Sequence, residues 1–280
     1  MTLEECKAAW AAVGHPGTKA ERIARNAKWL SFYGYLAGKE NVDAPEAHWR
    51  IREVVETLKR EGVISAETTL LDIGAGTGAF SLPLCNTCAE VTALEMERAS
   101  VALLKQRAEK RGIDNLHTVN AMWENFEPEQ KYDVTFSSMC PAICDYEELL
   151  RMEGMTKSTC CILAVAKGSV DLHRQKLMRE IFKITPSGGM NSEASWYYDM
   201  LYLMGRQPNV KTFSRISKSR LPVEYLVERN KIYFQIFDIS PEQSEPVLRE
   251  YYSRVGVDGM VEDETCINNA LIWWKVPEKV

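Results

Sequence analysis

The sequence predicts a doubly wound α/β protein built on one mostly parallel sheet of seven strands. Three observations carry that expectation. Between residues 69 and 166, short apolar runs alternate with helical patterns of ten to fifteen residues. Those runs are predominantly apolar, as in strands covered on both faces. The first of them, Thr69-Leu70-Leu71-Asp72-Ile73, enters a turn with three glycines before a helix opens. Strand–helix–strand repeats of this kind fold as right-handed crossovers onto a parallel sheet.

The elements follow in order. A helix is expected from Pro45 to Gly62, with Trp49, Val54, Val55 and Leu58 on one face and Gly62 as its stop. Strands are expected at 69–73, 91–95, 116–119, 132–138 and 160–166, with helices through Leu84, from Arg98 to Arg111, and near 145–153. Beyond them come a long helix at about 171–184, a loop at Thr185-Pro186-Ser187-Gly188-Gly189 and an aromatic helix at 192–204. A strand near Val210–Ile216, helices over about 222–254 and a last strand at 270–276 complete the sheet's far edge.

The chain has 280 residues, 45% hydrophobic and 26% charged, which suits a globular protein with a real core. The expected organisation is an N-terminal helical cap over 1–62 and one domain over 63–280, with a helical insertion at about 217–262. No apolar run reaches the ~18 residues of a membrane span, and the N-terminus does not read as a signal peptide, so no membrane role and a cytoplasmic location are expected. Eight cysteines in such a context read as free thiols, Cys160 and Cys161 among them as small hydrophobes in a buried strand. The net charge of −5 weighs against a dedicated nucleic-acid binder.

The chemistry centres on Asp72-Ile73-Gly74-Ala75-Gly76-Thr77-Gly78. Glycine allows unusual φ values and close approach of a ligand to the backbone, and the following helix offers unpaired N–H groups. Glu95 ends the second strand, 21 residues after Gly74, where a carboxylate suits both hydroxyls of a ribose. A dinucleotide fingerprint is also loosely met. Against it, Asp72 would sit poorly beside a pyrophosphate, and the third glycine falls one position early.

LLDIGAGTG followed by VTALE resembles the class I S-adenosylmethionine-dependent methyltransferases, a Rossmann-like superfamily. The resemblance implies that Gly74, Ala75, Gly76 and Gly78 pack against S-adenosylmethionine, with Asp72 near its methionine amino end. It implies that Glu95 binds the ribose and Met96 lies on the adenine. Asn120-Ala121 stands where the family often has Asp-Ala at the adenine edge, and Met122 and Trp123 follow as adenine neighbours.

The acceptor would sit at the end of the fourth strand, from Ser137 through Ser138-Met139-Cys140-Pro141-Ala142. This segment departs from the Pro-Pro-aromatic motif of base amino methylases, which argues against that chemistry. Zinc shared between Cys85/Cys88 and Cys140/Cys144 is geometrically poor, and a thiol-lined acceptor site at Cys140 and Cys144 competes with plain burial. His173 reads as a base or as a surface-helix residue. Trp196, Tyr197, Tyr198 and Tyr202, like Trp29, Phe32 and Tyr33, read equally as packing or as a lid over the substrate.

Between Arg206 and Lys231 seven basic residues face two acids, and between Asp238 and Glu264 eight acids face two arginines. Such blocks track a phosphate backbone, or pair with each other or across a homodimer. The reading is methyl transfer to a small molecule by in-line displacement. The alternatives are an RNA methyltransferase using the 206–231 stretch, and a cofactor-binding protein without transferase activity, since no catalytic base is identifiable.

Overall fold

Five apolar runs become the parallel heart of the sheet: β1 (Thr69–Ile73), β2 (Glu90–Glu95), β3 (Leu116–Asn120), β4 (Tyr132–Ser138) and β5 (Thr156–Val165). The computed structural model describes the chain except residues 15–20, 22, 23, 25, 26, 30, 33, 37–48, 169, 185–192 and 278–280. With β6 (Val170–Asp171), β7 (Asn209–Pro222) and β8 (Met260–Lys275) added, the order is β3-β2-β1-β4-β5-β8-β6, with β7 outside β8. The chain reverses direction across the sheet between β1 and β4, which opens a crevice beyond their carboxyl ends.

The seven expected strands are present, and an eighth, β6 (Val170–Asp171), adds two residues against β8. The last two strands are much longer than expected. β7 and β8 pair antiparallel over Asn209–Pro222 against Met260–Trp273, so their outer halves rise past the crevice as a two-stranded ribbon. Apolar patterning ended the expected strands at Ile216 and Ala270, because the ribbon is held by polar ladders. Lys218 meets Glu264 at 3.0 Å and Arg220 meets Glu262 at 3.8 Å, each pair in register.

That register settles where the two charge blocks go. Arg229 pairs with Asp171 and Asp263, Lys231 with Glu228 and Glu245, and Arg206 with Glu153. Lys211 donates to Thr57 Oγ1 at 3.1 Å, and the Arg215 guanidinium lies 5.7 Å from the Trp49 ring centroid. The blocks therefore neutralise each other largely within one chain.

One face of the sheet is covered by α1 (Leu3–Gly14), α5 (Tyr146–Gly154) and α7 (Ala194–Leu203), which bury Trp10, Leu149, Met152, Tyr197 and Leu201 with Ile162, Ile272 and Trp274. The other carries α2 (Trp49–Arg60) and α3 (Ser81–Cys85), with Ile51, Val54, Leu58 and Leu84 over Phe136, Leu163 and Leu271. Helix α4 (Arg98–Lys110) sets Leu104 and Ala108 against Ala75 and Ala93. Residues 45–48 of the expected first long helix lie outside the described residues.

The ribbon carries α8 (Val223–Phe234) and α9 (Pro241–Val255), the latter opened by a capping box between Ser240 and Gln243. The long helix expected at 171–184 is a short α6 (Leu172–Lys176), capped by Asp171, followed by a π-helical turn at Leu177–Ile181. Trp29 and Phe32, read as packing or lid, lie 6.0 and 5.3 Å from the Tyr233 ring and join this insertion's core. Tyr33 lies outside the described residues.

Glu153 is the buried polar tie of the first core. It accepts two bonds of 2.8 Å from Arg206 and one of 2.8 Å from the Trp274 indole. Arg206→Ala leaves that carboxylate without its charge partner and is expected to cost about 3 kcal/mol, read by urea unfolding.

Candidate active site

The glycine turn is built from three positive-φ positions, Gly74 (+74°), Gly76 (+56°) and Gly78 (+87°), and each is required for a different reason. A Cβ on Gly74 would lie 2.4 Å from Cys140 Sγ, and one on Gly78 would lie 2.2 Å from Leu104 Cδ1. A Cβ on Gly76 would meet nothing within 4 Å. Gly74 thus admits the loop after β4 and Gly78 admits α4, while Gly76 faces open space where a ligand can lie against bare backbone.

The end of β2 holds this turn in place. Gly74 and Ala75 N–H both donate to the Leu94 carbonyl, at 2.9 and 3.0 Å. Glu95 Oε2 accepts from Gly76 N at 2.9 Å, and its Oε1 accepts from Glu97 N at 2.9 Å. Each carboxylate oxygen keeps a further lone pair for a hydroxyl donor. The Asn120 amide nitrogen donates to the Glu95 and Met96 carbonyls at 2.9 and 3.0 Å, so its oxygen points elsewhere. Met96 is exposed beside them, with Ala121 and Met122 half-buried.

Asp72 is turned inward. It is buried and accepts from Ser81 Oγ at 2.6 Å, tying β1 to the start of α3. Burial, reinforced by the nearby Glu95 charge, pushes its carboxyl up to about 7 against the pull of Ser81. The structure thus places it beneath the turn, holding the turn to the helix.

Trp123 is likewise drawn away from the crevice. Its ring is buried in the first core, its indole N–H donates to Glu148, and the Arg151 guanidinium lies 5.0 Å from it. The sequence had set it beside Met122 as an adenine neighbour. The tight turn at Trp123–Asn125 instead points it under the sheet.

At the end of β4, where the sequence reading expects the acceptor, Ser137 is buried and donates to the Ile73 carbonyl at 3.3 Å. Met139 takes a positive φ of +50°, which swings Cys140 onto Gly74. Tyr197 donates to the Ile143 carbonyl at 2.6 Å and meets the Trp10 ring edge-on at 5.1 Å, clamping this loop from the α1 side. Burial pushes the Cys140 thiol up to about 12, so it stands there as a neutral thiol. All eight cysteines are free, and among the described residues no three metal-ligating side chains cluster.

The remaining candidates separate. His173 bonds Tyr251 Oη and the Glu262 carbonyl, both at 2.9 Å, so its two ring nitrogens are engaged in the insertion. Of the aromatic helix, Tyr197 is core, while Tyr198 and Tyr202 stack 6.4 Å apart on the exposed side. The structure adds Arg50, whose Nη1 lies 3.9 Å from Met139 Sδ. It stands 89 positions before its neighbour, and nothing local in the sequence links the two.

Two consequences are measurable. Gly78→Ala is expected to cost about 2–4 kcal/mol in urea unfolding, from the positive φ together with a methyl driven into Leu104. The Asp72 carboxyl titrates higher in the folded chain than in the unfolded one. Between about pH 4 and pH 7 the folded state therefore keeps a proton that the unfolded state releases, and stability falls as pH rises through that window. Asp72→Asn should flatten that fall in a series of thermal melts.

Residues 64–196 match the family model Methyltransf_31, a methyltransferase domain. An uncharacterized Haemophilus influenzae protein is 24% identical over 219 residues, covering 76% of this chain and 78% of that protein. A ribosomal RNA small subunit methyltransferase G from Methylobacillus flagellatus is 31% identical over 131 residues. That match covers 46% of this chain and 61% of the relative, so the chain spans about three-fifths of its length. The crystal structure of the YcgJ protein from Bacillus subtilis superposes with a TM-score of 0.53 at 16% identity, covering 83% of this chain and all of that one, which is a likeness of fold. With the glycine turn and Glu95 as described, the match over residues 64–196 to a methyltransferase domain identifies the chain as a methyltransferase, with S-adenosylmethionine as its cofactor.

Proposed function

We propose that this methyltransferase acts on a small-molecule acceptor, by in-line displacement onto a nucleophilic N, O, S or C atom. The observation that carries this reading is the fate of the basic stretch. Five of its seven cations face carboxylates of the same chain, and the ribbon and its helices rise beside the crevice where a polyanion would need open, charged ground.

The residues fit the cofactor. The open backbone at Gly76 and the lone pairs of Glu95 suit the ribose. The Asn120 amide oxygen, with Met96, Ala121 and Met122, suits the adenine, and Ala75, Gly74 and Ser137 line the way toward β4. When bound, S-adenosylmethionine supplies an electrophilic methyl on a sulfonium. The chain's own part is placement: Tyr197 holds the acceptor loop, Met139 redirects it, and the neutral Cys140 packs it on the turn. Holding a nucleophile in line can supply much of the rate without a base. This accords with a His173 whose nitrogens are occupied.

The resemblance to a ribosomal RNA methyltransferase keeps RNA as the second reading. It predicts RNA binding that weakens steeply with salt, and the small-acceptor reading predicts none. For the cofactor itself, Glu95→Gln is expected to weaken S-adenosylhomocysteine about tenfold or more in calorimetry, by removing a charge-assisted hydroxyl contact. Unchanged affinity in that variant overturns the assignment of Glu95.

A further inference from the structure

Most cations of the ribbon and its helices are met by carboxylates. Arg107, in the last turn of α4, is directed elsewhere. Its Nη1 donates to the Thr77 carbonyl at 3.1 Å and to Thr77 Oγ1 at 3.0 Å. One guanidinium nitrogen carries two hydrogens, so both bonds form together, and the charge strengthens each. The hollow that Arg107 borders is lined also by Leu103, Gln106, Lys110 and Arg111, with no carboxylate to compete for it. Arg107 and Thr77 are 30 positions apart and both half-buried, so the contact is a product of folding.

Thr77 stands at a particular place in the glycine turn. It lies between Gly76 and Gly78, both at positive φ. Residues Ala75-Gly76-Thr77-Gly78 close as a four-residue turn, Gly78 N–H donating to the Ala75 carbonyl at 3.0 Å. The Thr77 carbonyl and the Gly78 N–H belong to one peptide unit. A cation on that oxygen polarises the unit and strengthens the bond its N–H makes. Arg107 thus tightens the closing bond of the turn through the peptide it holds.

The turn is therefore fixed from two sides. Leu94 and Glu95 of β2 hold Gly74, Ala75 and Gly76, and those bonds end at Gly76. The second half is held from α4, by Arg107 on Thr77 and by Leu104 packed against Gly78. Gly76, with its open side, is where the two halves join. Without Arg107, Thr77 is flanked by two glycines, the residues with most backbone freedom, and a ligand lying on Gly76 has to order the turn itself. Resting on the cofactor assignment above, we propose that Arg107 is a positioning residue for S-adenosylmethionine, acting through Thr77 to preorder the turn from Gly76 to Gly78.

Calorimetry on the full chain tests this with S-adenosylhomocysteine and 5′-methylthioadenosine, well below the melting temperature of each variant. Arg107→Met is expected to weaken both ligands about fivefold or more. Thr77→Val keeps the carbonyl but loses Oγ1, and should weaken them about two- to threefold. The double variant should bind no more weakly than Arg107→Met alone, because both effects pass through one contact. A merely structural Arg107 would lower the melting temperature and leave the affinity of the folded chain unchanged, which overturns the proposal. Losses that add in the double variant overturn it as well. So does a loss confined to S-adenosylhomocysteine, since the guanidinium would then meet the amino-acid end that 5′-methylthioadenosine lacks. Should Arg107→Met fail to fold, Thr77→Val decides, and unchanged affinity there overturns the proposal. Absence of S-adenosylhomocysteine binding in the unmodified chain would instead overturn the cofactor assignment beneath it.

Discussion

The Leu94 carbonyl accepts two consecutive N–H groups of the glycine turn, and the next residue, Glu95, takes a third with its carboxylate. Much of the site depends on this. A turn after a strand has no ladder partner of its own, and its N–H groups must be satisfied by something rigid. Here the carboxyl end of the neighbouring strand does it, so the turn, Glu95 and the approach to α4 are tied together. Asn120 extends the same arrangement to β3 by donating back to Glu95 and Met96. The crevice floor is thus largely preformed from backbone and short polar side chains.

The opposite wall is built differently. Beyond β4 the chain turns through a positive φ at Met139 and lays Cys140 on Gly74, a contact that only a glycine permits. Tyr197 then fixes the loop through one buried bond to Ile143, and Trp10 of the N-terminal helix backs Tyr197. The in-line transfer proposed above asks for placement to within fractions of an ångström more than for a proton acceptor. A loop clamped between a glycine and a buried tyrosine answers that need.

The insertion borne by β7 and β8 has a polar interior of its own. Asp171 and Asp263 flank the half-hidden Arg229, and Asn230 bonds Tyr252 at 2.9 Å. Breaking such a network by removing one charge is costly, so it orients the helices beside the crevice as well as packing them. The charge blocks that stand out along the chain are the two sides of this construction: the acids of β8 and α9 face the cations of β7 and α8.

Much of the fold was legible in the sequence, because parallel strands buried on both faces must be apolar throughout and their crossovers must be helical. The glycine turn at the end of β1 was legible for a related reason: backbone that takes positive φ at three nearby positions leaves a local signature in residue type and spacing. The ribbon was not legible, since its outer halves are held by cross-strand charge pairs that show no apolar pattern. Nor was the inward turn of Asp72 toward Ser81, or the burial of Trp123 against Glu148, because each is decided by a partner reached only after the chain folds. Arg50 beside Met139 belongs to the same class. Composition and local pattern determined the architecture and the glycine turn; tertiary register alone decided which charges cancel and which polar atoms are buried.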